Sequence, residues 1–103
     1  MVSNLNLLLL GDRLSGDSRS QLEAWLAGNT TGAKRIRAGI PPSWQVGDKT
    51  GTGRNGAAGD IAIVRPSGRA PILIAVYLAE SGAKGDRLDK AIAKAAALIS
   101  QAL

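Results

Sequence analysis

The residues best suited to chemistry lie in one stretch, Val46-Gly47-Asp48-Lys49-Thr50-Gly51-Thr52-Gly53. A Lys at a strand end, followed by a hydroxyl and glycines, makes an anion pocket. Lys49 offers a positive charge and Thr50 a hydroxyl donor. Gly51 lets backbone approach a ligand closely, because it has no side chain. A free N–H at Thr52 could then point at an oxyanion. The plain alternative is a strand entering a Gly-rich turn, with Lys49 a solvated charge, since matches this short are common by chance. Two phosphate-binding motifs are excluded. A P-loop needs Gly directly before its Lys, and Asp48 stands there. The glycines at 47, 51, 53, 56 and 59 place no G-x-G-x-x-G between a strand and a helix, because the residues after them read as another strand.

These residues sit in a chain of 103, the size of one small domain or part of one. Hydrophobic residues are 45% and charged ones 20%, a globular balance that excludes collagen and bulk disorder. There is no His and no Cys. That removes thiol nucleophiles, Cys/His zinc sites, disulfides and a Ser-His-Asp triad within this chain, and no cofactor or metal is expected. The net charge is +5. A basic chain suits nucleic acid, an anionic membrane or a carboxylate substrate. The charges are spread, only Lys34-Arg35-Ile36-Arg37 being dense, and Trp25, Trp44 and Tyr77 are poor provision for stacking single strands. Nucleic acid is not the expected partner. Neither is a membrane: Leu7 to Leu10 is too short an apolar run for a span, and Met1 to Asn4 does not read as a signal peptide.

Periodicity gives the framework around this stretch. Residues 4–10 read as a short Leu-rich helix ending at Gly11. Ser18 and Gln21 fit a capping box for a helix over 18–27, stopped at Gly28. Trp25 and Trp44 have apolar neighbours and read as packing residues. Residues 29–43 read as an irregular basic connection. Strands are predicted at 44–50, 59–65 and 71–78, the last two joined by a turn over Pro66 to Arg69. A helix is predicted over 86–102, with Leu88, Ile92, Ala95, Ala96, Ile99 and Leu103 on one face. The fold class is α+β: a three-stranded antiparallel meander, N-terminal helices flanking it and the last helix packed on the sheet. A three-stranded sheet with a helix on one face leaves its other face in need of cover, which the two N-terminal helices supply in part, so the domain reads as partial.

Lys49-Thr50-Gly51 has the form of one of three motifs of the penicillin-binding fold, whose others are Ser-x-x-Lys and Ser-Asp-Asn. The context is longer than three letters. Asn29 through Trp44 leading into Gly47 to Gly53 resembles the C-terminal portion of class A serine β-lactamases. The Leu-rich opening, Gln21-Leu22-Glu23-Ala24-Trp25, Asp60-Ile61-Ala62-Ile63 and Arg69 to Tyr77 are similar in kind and order. The resemblance implies a role for each residue of the stretch. Lys49 binds the substrate carboxylate and sets the electrostatics of the serine site. The Thr50 hydroxyl hydrogen-bonds that carboxylate, and the Thr52 N–H is one of two oxyanion donors. The Thr52 side chain contacts substrate, while Gly51 and Gly53 keep the strand close to it. Many members carry an Arg on the next strand where this chain has Ala58. Others supply it from the preceding connection, where Arg35 stands, so Arg35 is the expected carboxylate-side cation. The alternative is a solvated Arg in a basic loop. Arg37 reads as structural, and Asp60 as a brace of the rim.

The resemblance also defines what is expected to be missing. No Ser of this chain is expected to head a Ser-x-x-Lys, there is no Ser-Asp-Asn, and the acidic deacylation loop belongs upstream. The nucleophile is therefore expected on an N-terminal portion of the same enzyme, which would pair with an exposed sheet edge here. The substrate implied is a β-lactam of the penicillin or cephalosporin type, hydrolysed through an acyl-enzyme. The parent would work in the bacterial periplasm or be secreted, with the chain alone inactive. A D,D-peptidase or transpeptidase of the same fold, and a non-enzymatic basic module, are the alternatives.

Overall fold

Three short strands build the sheet. In a computed structural model, which describes residues 1–54, 57–79 and 85–103, β1 is Gln45–Thr52, β2 is Ala58–Arg65 and β3 is Ile72–Leu78. They form one antiparallel meander in the order β1-β2-β3. The register sets Thr50 opposite Asp60 and Asp60 opposite Val76. Successive side chains leave a strand on opposite faces. Ala58, Asp60, Ala62 and Val64 of β2 therefore face one layer, and Ile61 and Ile63 the other. The β2–β3 turn closes at Gly68, whose φ of 70° is the left-handed conformation that glycine tolerates. The Arg69 N–H reaches the Pro66 carbonyl at 3.4 Å, as a turn over those residues requires.

Both faces are covered, by different parts of the chain. On one lies α4 (Gly85–Ala102), which buries Leu88, Ile92 and Ala96 at intervals of four. These join Ile36, Ile40, Ala58, Ala62, Val64 and Ile74 in the larger core, with Trp44 packed at its border. On the other, Leu5, Leu9 and Leu26 close over Ile63 in a second, smaller cluster. Fully burying one Ile or Leu stabilises by roughly 1.5–3 kcal/mol, so the α4 face contributes the larger share.

Several elements differ from the sequence expectation. The segment expected as a helix over 4–10 is α1 (Val2–Leu5) running into a π-helical stretch (Asn6–Leu10), closed by the Gly11 N–H on the Asn6 carbonyl at 2.7 Å. The next helix, α2, is Gly16–Ala27 and starts before residue 18. Its cap is Ser15, whose Oγ accepts from the Ser18 N–H at 3.1 Å, so the capping box at Ser18 and Gln21 is not formed. Asp17 then stands in the first turn, where the helix dipole favours it. The connection over 29–43 is not wholly irregular, because Ile36–Gly39 makes one helical turn, α3. Gly39 lets that turn lie directly on α4, since a Cβ there would overlap the Ala93 carbonyl and sit 2.6 Å from Ala97 N. Trp25 is not a packing residue. It is 68% exposed, because the buried line of α2 runs through Leu22 and Leu26 and Trp25 stands off it. Ile99 and Leu103 are also largely exposed, the burial of α4 ending at Ala96. Lys84, which the periodicity of the last helix leaves with Lys90, Lys94 and Gln101 to stay wet, lies outside the described residues.

Candidate functional site

β1 is an edge strand, and the residues singled out for chemistry lie along its second half. Alternation sends Lys49 to the α1–α2 face and Thr50 and Thr52 to the face of α3 and α4. Lys49 is exposed, and its Nζ donates to the Thr50 carbonyl at 2.9 Å. It borders an open groove of about 440 Å³ that Gly51, Ile61, Tyr77 and Met1 also line. The Thr50 Oγ1 lies 2.6 Å from the Thr31 Oγ1, which in turn donates to the Asn29 side-chain carbonyl at 3.0 Å. A Cβ on Gly51 would meet nothing within 4 Å, so packing inside this chain does not demand glycine there. Gly53 is tighter, a Cβ lying 3.3 Å from that of Ala57.

Arg35 is brought to the same place from the connection before α3, and it is buried rather than solvated, at 7% exposure. Its Nη2 donates to the Thr52 hydroxyl at 2.8 Å. Its Nη1 donates to the Gly51 and Gly59 carbonyls at 3.0 and 2.8 Å, and its Nε to Asp89 of α4 at 2.8 Å. A guanidinium has five N–H donors in a rigid fork. Four are engaged here, and the fifth, on Nη2 beside Thr52, has no acceptor among the described residues. The structure therefore brings Arg35, Thr52, Gly51 and Thr50 together, with Lys49 on the opposite side of the same strand.

Beneath this rim is a buried ionic layer. Arg37 donates from Nε to Asp48 at 2.8 Å and from Nη2 to the Leu26 and Ala27 carbonyls. It holds α2 to β1, a structural part as expected. Asp48 and Asp60 are fully buried, at 0% and 1% exposure. The Asp60 Oδ2 accepts from the Ile36 N–H at 3.0 Å, so it braces the start of α3. Burial, and then the neighbouring Asp48 carboxyl, push the Asp60 carboxyl up to about 7. The roles of Asp48 and Asp89 are not apparent from sequence, since their partners, Arg37 and Arg35, lie 11 and 54 residues away.

Ser81 and Lys84 do have the Ser-x-x-Lys spacing, contrary to the expectation that no Ser here is followed by such a Lys. Both lie outside the described residues. The pair comes after Lys49-Thr50-Gly51 in the chain, whereas the resemblance puts the nucleophile upstream of it.

Lys-Thr-Gly, here on an outer strand of the sheet among the described residues, is one of the motifs of class A β-lactamases and penicillin-binding proteins. A model of the β-lactamase enzyme family matches residues 1–103, and the chain belongs to that family. Class A enzymes are among its solved neighbours. An ancestral (GNCA) class A β-lactamase superposes with a TM-score of 0.97 at 52% identity, over 100% of this chain and 40% of that one. The CTX-M-25 β-lactamase of Escherichia coli is 45% identical over 100 residues, 97% of this chain and 34% of that protein. The AST-1 β-lactamase of Nocardia asteroides is 45% identical over 103 residues, 100% of this chain and 33% of that protein. The chain thus spans a third to two fifths of the length of these proteins.

Proposed function

We propose that the chain is the portion of a serine β-lactamase that receives the substrate carboxylate and supplies half of the oxyanion hole. One observation carries the reading. An exposed edge strand presents Lys49, Thr50 and Thr52 within four residues, and Arg35 is hydrogen-bonded behind Thr52 with one N–H to spare. Lys49 and Thr50 bind the carboxylate of a penicillin or cephalosporin. Arg35 completes that side through its remaining donor and fixes the Thr52 hydroxyl. The Thr52 N–H faces the lactam carbonyl oxygen as negative charge develops on it. Removing such a donor costs roughly 3–4 kcal/mol of barrier.

The reaction proceeds by acyl transfer. A serine oxygen adds to the lactam carbonyl, the ring C–N bond breaks, and the nitrogen takes a proton. Water then hydrolyses the ester and frees the serine. The serine and its base come from the N-terminal portion of the enzyme, which docks against the free edge of β3 and the groove beside Lys49. Its setting is the periplasm or the exterior of a bacterium.

The test is hydrolysis of a chromogenic cephalosporin by this chain alone and by this chain mixed with the N-terminal portion of a class A enzyme. The expected result is silence alone and turnover on mixing. Turnover by the pure chain would overturn the placing of the nucleophile. A folded complex that neither acylates nor turns over would overturn the lactamase reading, and acylation without turnover would favour the peptidase.

A further inference from the structure

Asp48 and Asp60 are charged-type side chains with almost no exposure, and each is only half satisfied. The Asp48 Oδ1 accepts from Arg37, and the Asp60 Oδ2 from the Ile36 N–H. Their other oxygens, Asp48 Oδ2 and Asp60 Oδ1, are buried with no hydrogen-bond partner. A buried carboxylate oxygen without a donor is costly. The two residues sit on the same face of neighbouring strands, Asp60 opposite Thr50 and Asp48 two residues before it. Asp48 stands opposite Ala62 and Asp60 opposite Thr50, so the two carboxyls are diagonal neighbours across the strand pair. Gly32 packs directly on the Asp48 carboxyl, since a Cβ there would overlap it.

We infer that Asp48 and Asp60 hold one proton between them, and that this carboxyl–carboxylate bond is a positioning clamp locking β1 to β2 beneath the Lys49–Thr52 rim. A single proton satisfies both orphan oxygens at once. It also balances the charge of the layer. The groups facing the pair are Arg35 and Arg37 around α3 and, through Arg35, Asp89 from α4. β3 contributes only Val76 opposite Asp60. Two guanidiniums thus meet three carboxyls, one of which the shared proton neutralises. Arg35 is committed to Asp89, which leaves Asp60 without a cation of its own. The raised affinity of Asp60 for a proton agrees with this.

Asp60 binds its proton more tightly folded than unfolded, so its contribution to stability is complete below its ordinary range near 3.8 and is lost as pH rises to about 7. Over that window the unfolding constant should rise by up to about tenfold per pH unit and then level off. The clamp operates independently of any part the chain takes in lactam hydrolysis.

The test uses the full chain with carbon-13-labelled aspartate. Infrared spectra at about pH 6 should show the carbonyl band of one buried protonated carboxyl, absent above about pH 8. The Thr50 and Thr52 amide resonances should shift with the same midpoint. Asp60→Asn, whose amide can donate to Asp48 at every pH, should abolish the band and flatten the stability slope, while Asp60→Ala should be less stable than Asp60→Asn. Wild-type chain with no protonated-carboxyl band near pH 6, or with strand amides that ignore the titration, would overturn the clamp.

Discussion

The guanidinium of Arg35 reaches oxygens of Gly51, Thr52, Gly59 and Asp89, so its removal disturbs two strands and a helix as well as a charge. In the assembled enzyme, Arg35→Ala should raise KM and lower kcat/KM for carboxylate-bearing lactams by about 1–3 kcal/mol, the value of a charge-assisted hydrogen bond. Steady-state kinetics that match the parent would remove Arg35 from the substrate side. Arg35→Lys should rescue little, since an ammonium cannot reproduce the planar fork. Lys49→Ala should cost more than Thr50→Ala, because Lys49 supplies the charge while Thr50 already shares its hydroxyl with Thr31. The opposite order of kcat/KM would mean that the anion pocket is misassigned. Ser81→Ala should leave turnover of the mixed enzyme unchanged, and loss of acylation in that variant would make Ser81 the nucleophile after all. The run from Lys49 to Gly53 is legible in the sequence because its members are consecutive. The Arg35–Asp89 pair is not, since its partners are 54 residues apart and only folding joins them.

Periodicity announces an element in proportion to its length. The 18 residues of α4 and the continuous apolar run of β3 declare themselves, whereas the single turn of α3 is too short to show a period. The start of α2 is misplaced from sequence because two serines compete for one cap, and the hydrogen bond favours Ser15. Trp25 misleads because apolar neighbours in sequence say little about which side of a helix is covered. Between α4 and the sheet, Ile92 is fully buried in the larger core. Ile92→Ala should destabilise by about 2–5 kcal/mol, read from urea unfolding of the assembled enzyme. A loss below about 1 kcal/mol would mean that α4 is not seated as described. At the other end, Arg65 of β2 and Glu23 of α2 meet through two bonds of 2.6 Å, and Glu23 pushes the Arg65 affinity for its proton upward. Both are about one-third exposed, so this tie contributes less than about 1 kcal/mol and fixes orientation more than stability.

At the scale of the molecule, the sheet has two free edges among the described residues, β1 and β3. Tyr77 on β3 is 60% exposed, and Leu98 on α4 is 59% exposed. An unpaired edge beside apolar surface invites self-association. Sedimentation of the lone chain should show concentration-dependent oligomers that an equimolar N-terminal portion disperses into a one-to-one complex. A lone chain that stays monomeric at high concentration would mean that the β3 edge is already protected. The order of the meander separates two tasks. Under the proposed function, substrate is read along β1 and the N-terminal portion is taken up along β3, with β2 between them at roughly 4.8 Å per strand step. An extended peptide that adds itself to β3 would therefore silence the enzyme by keeping its halves apart. Resistance to such an agent would have to arise at that edge, because substitutions that remodel the lactam pocket would leave its binding untouched.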